Sequence, residues 1–325
     1  MPRYTKATYQ RLLAKVSSLY YEEGLTQQEI SDQLQLSRPK VSRLLREAQN
    51  SGLVQITVRS PLGVYTNLEN LLEQRFGLKE AVIVSASSEE TPEAIALKLG
   101  IAGAQYLNRV LRAGDIVGVS WGTTLNAMAN ALSPVSTANV HVVQMIGGLG
   151  APEAEVHATD ICRRFAHALG CKLTLLAAPG IVDSEETKRT LLTDSHVQQA
   201  MSLFEKITVA FVGIGVPFRS SVLMRDGSIM SWSQLEQLRQ AGAVGDICLR
   251  FFDANGRLIP SPLNERVVGV TLEQLQRVER VIGIAGGPLK FEAVRATLRG
   301  HLIDVLITDE CLANQLLNED AAPPA

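Results

Sequence analysis

At 325 residues, 46% of them hydrophobic, the chain is long enough for about two domains with an ample core. It has no apolar run of about eighteen residues and no apolar leader in MPRYTKATYQ, so no membrane helix and a cytoplasmic location are expected. The net charge of −2 hides a basic head: residues 1–60 carry nine Lys/Arg against five Asp/Glu, and the rest 22 against 28. This split disfavours nucleic-acid binding by the whole surface and favours contact by one end.

The chain opens on a helical stripe, Leu12, Leu13, Val16, Leu19 and Tyr20, which stops at Gly24, a residue suited to a helix C-cap. Thr26 and Glu29 have capping-box spacing, and Leu25 with Ile30 has that of a hydrophobic staple. A second short helix is therefore expected from Thr26, burying Ile30 and Leu34, with Gln35-Leu36-Ser37 as a tight turn after it. In the third helix Val41, Leu44, Leu45 and Ala48 form one apolar stripe. Pro39, Arg43, Arg46 and Asn50 lie opposite, flanked by Lys40 and Ser42. Pro39 favours the first helical position, which leaves the cap at Ser37 or Arg38.

Two short helices, a tight turn and a basic outward face make a helix-turn-helix, whose second helix enters the DNA major groove. Arg38, Ser42 and Arg43 are the candidates for base edges, and Lys40 and Arg46 for phosphates. An ordinary solvated face is the alternative, and the clustering of four cations at a helix start favours DNA. Leu53–Val58 alternates with period two and predicts a short wing strand.

Ser60-Pro61-Leu62-Gly63 marks a boundary. The helix-turn-helix head is thus placed at residues 1–60, a connecting segment at 61–79, an effector-binding and oligomerisation domain at 80–320, and a frayed tail at 321–325. Within the connecting segment, Leu68, Leu71, Leu72 and Phe76 share one helical face suited to dimerisation. The remainder alternates strand-length apolar runs (81–84, 116–120, 140–146, 173–177, 207–212, 246–252, 281–284 and 305–307) with helices (91–111, 124–132, 153–169, 187–203 and 290–298). That order predicts a mainly parallel sheet covered on both faces. Residues 222–244 read only as helix plus loop.

In such sheets ligands bind beyond the carboxyl ends of the strands, and here those ends are rich in glycine. Gly122-Thr123-Thr124 opens a helix whose N–H groups would welcome a phosphate. Gly147-Gly148, Ala178-Pro179-Gly180 and Gly213-Ile214-Gly215 follow, and in Gly286-Gly287-Pro288-Leu289-Lys290 a lysine can reach an anion held on glycine backbone. A tight turn is the plain reading of any one of these loops; their recurrence at one sheet edge suggests a small phosphorylated ligand. Thr123, Thr124 and Lys290 would be its polar contacts, with Gly122, Gly147, Gly148 and Gly287 as close backbone. Asp246 is a candidate acceptor for sugar hydroxyls, or a strand-end cap.

No P-loop, dinucleotide fingerprint, nucleophile elbow or H-E-x-x-H occurs, so no cofactor and no catalysis are expected. Cys162, Cys171, Cys248 and Cys311 lack metal-ligand spacing and read as reduced thiols, and the five histidines share no motif. Asp309-Glu310 could be a general base, but more simply complements a helix dipole. An enzyme using Lys290, Asp309 and Glu310 as acid/base groups is the rival reading, and a head that contacts protein is a third.

The ordered set LTQQEISDQLQLSRPKVSRLL, GVSWGTTL, VVQMIGG, AAPG, VGIG, VGDICLRFFD, IAGGPLK and LITDE resembles the SorC family of bacterial transcriptional regulators, often grouped with DeoR-type sugar regulators, over nearly the whole length. The resemblance implies an effector domain similar in fold to sugar-phosphate isomerases and glucosamine-phosphate deaminases, used for binding. It implies a phosphorylated sugar at Gly122-Thr123-Thr124, Gly147-Gly148, Asp246 and Lys290, and a homodimer or homotetramer acting on double-stranded operator DNA near carbohydrate genes. Two departures stand out: Gln35 where many helix-turn-helix sequences place glycine, and Ser31 where a small alanine is usual.

Overall fold

In the first of the two units into which the chain divides, residues 1–60, three helices close around a small core. They are α1 (Lys6–Tyr21), α2 (Gln27–Leu34) and α3 (Arg38–Asn50), and the core is built from Leu13, Val16, Leu19, Ile30 and the α3 stripe Val41, Leu44, Leu45 and Ala48. The computed structural model describes residues 6–55, 65–87, 89–135, 137–149, 158–218 and 230–318.

The expected capping box is formed: Thr26 Oγ1 accepts from the Glu29 N–H (3.3 Å), and the Glu29 carboxylate accepts from the Thr26 N–H (2.7 Å). A cap of this kind contributes about 0.5–2 kcal/mol. Gln35 is left-handed, with φ 53°, the conformation that glycine adopts without cost. Ser31 Oγ donates to the Leu36 carbonyl at 2.5 Å and ties the turn to α2, which gives that serine a purpose an alanine could not serve. Ser37 is the N-cap of α3, so Pro39 stands at the second helical position. The expected wing does not begin at Leu53. Leu53 and Val54 lie in a bend, with Val54 packed on the head core, while residues 56–58 and the boundary at 60–63 fall outside the described residues.

The second unit contains, in chain order, α4 (Thr66–Phe76), β1 (Glu80–Val84), α5 (Pro92–Val110), β2 (Ile116–Val119), α6 (Thr123–Ala131), β3 (His141–Gln144), α7 (Ala158–Ala168), β4 (Lys172–Thr174), α8 (Glu185–Leu191), α9 (Ser195–Met201) and β5 (Val209–Gly213). It continues with α10 (Trp232–Gln240), β6 (Gly245–Ile247), β7 (Arg250–Phe252), α11 (Pro262–Arg266), α12 (Leu272–Leu275), β8 (Arg280–Ile284), α13 (Phe291–Arg299), β9 (Val305–Asp309) and α14 (Glu310–Leu317). Seven strands form one parallel sheet in the order β1-β9-β8-β5-β2-β3-β4. No described helix is long and apolar enough to cross a membrane.

Two sequence expectations are corrected. The run 246–252 is not one strand but the antiparallel hairpin β6–β7, reversed at Cys248 and Leu249, which both have positive φ (53° and 60°). The helix expected over 187–203 is two helices, because Asp194 turns its carboxylate onto the N–H groups of His196 and Val197 and starts α9 afresh.

The helix expected to connect head and effector domain packs on the second unit. Leu72 is fully buried there, whereas Leu71 is half exposed. Two carboxylates of α4 also reach the outer strand: Glu73 Oε1 accepts from the Ala81 N–H (2.9 Å) and Glu69 Oε1 from the Ile83 N–H (3.0 Å). Across the sheet α5 lies against α6 so closely that a Cβ on Gly100 would fall 2.6 Å from the backbone at Ala127 and Met128.

Candidate functional site

The chain leaves β2 towards β3 on one side and leaves β5 towards β8 on the other, although β2 and β5 are neighbours. Such a reversal opens a crevice beyond the strands' carboxyl ends. A cavity of about 450 Å³ lies there, large enough for a small metabolite. Its polar lining comes from the end of β2 and start of α6 (Ser120, Gly122, Thr123, Thr124), from Asp246 on the hairpin, from Lys290 with the backbone of Gly286 and Gly287 after β8, and from Glu90 and Glu93 flanking the start of α5. Ile95 and Leu99 of α5, with Trp121, Ile214 and Val216, supply an apolar wall.

Local backbone explains why these residues sit where they do. Gly122 caps α6 with φ 123° and ψ 166°, a conformation essentially closed to other residues, and offers no side-chain cap to the N–H groups of the first turn. The hairpin is clamped to the end of β5 by paired backbone bonds between Gly215 and Asp246 (2.8 and 3.2 Å). A Cβ on Gly215 would stand 1.9 Å from Asp246 Oδ1, so only glycine admits the carboxylate.

Asp246 is buried. Its Oδ2 accepts from the Leu249 N–H (3.1 Å), and its Oδ1 has no hydrogen-bond partner among the described residues. Burial pushes this carboxyl up to about 6, against the opposing pull of the Lys290 charge and the Leu249 bond. Lys290 donates to the Ile214 carbonyl at 2.6 Å. Enclosure lowers its pKa, and the Asp246 charge partly restores it. The cavity therefore presents a cation, carboxyl groups and an uncapped helix start, a set that matches a ligand carrying both an anionic group and hydroxyls.

Of the residues expected at an effector site, Gly122, Thr123, Thr124, Asp246, Gly287 and Lys290 are brought together here. Gly147 and Gly148 are not among the described lining residues. A Cβ on Gly147 would lie 2.4 Å from the Ala178 carbonyl oxygen, and Gly148 bridges Pro179, so these glycines allow two strand-end loops to touch. The acid/base group imagined for an enzyme is not assembled. Asp309 Oδ1 caps α14 at Leu312 N (2.9 Å), its Oδ2 accepts from the Gly287 N–H (2.6 Å), and Glu310 accepts from the Tyr65 hydroxyl. The α5 wall was not singled out by sequence; a leucine on a helix carries no local mark of a ligand.

On the head, Arg38, Arg43 and Arg46 are exposed, while Lys40 and Ser42 are half-buried on the flank of α3. The whole apolar side of α3 is used internally, which leaves the basic side outward.

A family model for a sugar-binding domain matches residues 60–318, and one for region 4 of sigma-70 factors matches residues 15–50. The chain is 35% identical over 310 residues to the deoxyribonucleoside regulator of Bacillus subtilis, covering 95% of this chain and 98% of that one. It is 31% identical over 315 residues to the sorbitol operon regulator of Klebsiella pneumoniae, covering 94% and 98%. Among solved structures, the full-length sorbitol operon regulator SorC from Klebsiella pneumoniae superposes with a TM-score of 0.74 at 30% identity, covering 97% of this chain and 100% of that one. A DeoR family transcriptional regulator from Listeria monocytogenes does so with 0.72 at 28% identity, covering 77% and 98%.

Proposed function

Since the chain belongs to the SorC family of bacterial transcriptional regulators, we propose that it binds operator DNA through α3 and that a phosphorylated sugar in the cavity modulates this binding. The observation that carries the reading is the convergence of the α6 start, Lys290 and Asp246 on one cavity. The phosphate sits on the N–H groups and hydroxyls of Thr123 and Thr124, with Lys290 and the backbone of Gly122 and Gly287 around it. Asp246 accepts from a sugar hydroxyl. Gly147 and Gly148 serve loop packing instead. The similarity to the sugar-phosphate isomerase fold implied by the sequence belongs to this proposal, with binding and no turnover as the expectation.

On the head, Arg38, Ser42 and Arg43 read base edges, and Lys40 and Arg46 hold phosphates. A homodimer or homotetramer pairs two heads on an operator of matching symmetry. Regulation requires the sugar phosphate to favour one arrangement of the oligomer over another; equal affinity for both would change nothing.

Paired substitutions test the assignment, with operator binding followed by mobility shift and sugar-phosphate binding by calorimetry. Arg43→Ala is expected to weaken operator binding and leave sugar-phosphate binding intact, and Lys290→Ala to do the reverse. Unchanged operator affinity in Arg43→Ala would sink the recognition-helix role, and unchanged sugar-phosphate affinity in Lys290→Ala would sink the cavity role.

A further inference from the structure

Three consecutive residues at the start of α14 reach three separate parts of the second unit. Asp309, fully buried, holds the cavity loop through the Gly287 N–H (2.6 Å) and its own helix through Leu312 N (2.9 Å). The loop has no slack there, because a Cβ on Gly286 would stand 2.4 Å from Asp309 Oδ2. Cys311 Sγ donates to the Ala86 carbonyl beyond β1 (3.2 Å). Glu310 accepts from the Tyr65 hydroxyl (2.7 Å), and Tyr65 is the N-cap of α4 and the first described residue of this unit. Residues 56–64 connect it covalently to the head.

A displacement of Gly286–Lys290 thus bears directly on Asp309, and through the first turn of α14 on the hydrogen bond between Glu310 and the Tyr65 hydroxyl. A hydrogen bond with Ser85 lowers the Tyr65 phenol pKa. The bond to Glu310, burial and the nearby negative charge outweigh it, so the hydroxyl remains a donor.

We propose that the Asp309-Glu310-Cys311 turn is a relay that couples the cavity loop to the start of α4, with the Tyr65–Glu310 hydrogen bond as its outgoing contact. Its regulatory meaning rests on the reading of the cavity as an effector site, whereas the coupling itself does not. Tyr65 and Glu310 are positioning residues here; neither lines the cavity among the described residues.

Hydrogen exchange followed by mass spectrometry on the full chain, with no added ligand, tests the relay. Tyr65→Phe is expected to speed exchange in peptides over 65–72 and, through the relay, in peptides over 286–290, each by about fivefold, a typical coupling between sites. Glu310→Gln keeps an acceptor for the phenol and is expected to leave both regions near wild type. Asp309→Asn weakens the Gly287 bond and is expected to loosen both regions from the other end. If Tyr65→Phe speeds exchange over 65–72 alone, or if Glu310→Gln loosens the cavity loop as much as Tyr65→Phe does, the relay is refuted. A failure to bind any sugar phosphate would refute the proposed effector and leave this result standing, so the two readings fail separately.

Discussion

Replacing Asp246 with asparagine isolates the cost of placing a carboxyl in the cavity floor. Burial pushes that carboxyl from its ordinary value of 3.8 up to about 6. Between these two values the folded protein keeps a proton that the unfolded chain has released. The contribution of this one carboxyl to stability is therefore highest below pH 4, declines as pH rises to about 6, and is level above. At 1.36 kcal/mol per tenfold change in proton affinity, the decline amounts to about 3 kcal/mol. Asparagine keeps an oxygen for the Leu249 N–H but never ionises, so this decline is absent from the variant. Loss of the charge facing Lys290 offsets part of the gain. The expected outcome is that Asp246→Asn gains up to about 3 kcal/mol on wild type between pH 4 and pH 7. Urea unfolding at a series of pH values, followed by tryptophan fluorescence, measures it selectively, because both tryptophans, Trp121 and Trp232, lie outside the head. Parallel pH profiles for the two proteins would refute the reasoning.

Two backbone predictions complement it. Gln35→Gly is expected to stabilise the head by about 1 kcal/mol, since left-handed backbone carries a cost of roughly 1–2 kcal/mol for a residue with a Cβ; circular dichroism melting of the head helices reads it, and a lower melting temperature would contradict it. Gly122→Ala is expected to cost about 1–3 kcal/mol through backbone strain alone, because an added Cβ would meet nothing within 4 Å. A thermal melt followed by tryptophan fluorescence measures the loss, and unchanged stability would show that the α6 start does not require glycine.

The head was legible because its signals are local. A capping box, a staple and a stripe each need only a few consecutive residues, and tertiary packing had no reason to override them. The main strands were legible from their β-branched runs. The hairpin was not: hairpin turns usually announce themselves with Asn-Gly or Asp-Gly, and here Cys248 and Leu249 take up positive φ inside an apolar run. The break between α8 and α9 did carry a signal, Thr193-Asp194-Ser195, hidden within a plausible apolar period. For the cavity, glycine-rich strand ends pointed to the edge of the sheet at which it lies, yet glycine serves ligand approach and backbone contact alike. Gly147 and Gly122 look equivalent in the sequence, and only the fold sets one against Ala178 and the other at the cavity.

The two glutamates of α4 that accept from Ala81 and Ile83 occupy the hydrogen-bonding row on which an eighth strand would form. An open row of that kind is a template for strands of other copies, and it leads to sheet growth across molecules and precipitation. In this chain the seal is a helix directly downstream of the residues that join the head. Shortening the protein from its N-terminus to isolate the sugar-binding domain would keep that seal only if the cut falls before Tyr65. A cut after Phe76 would leave the same cavity and the same seven strands, with β1 bare and prone to self-association.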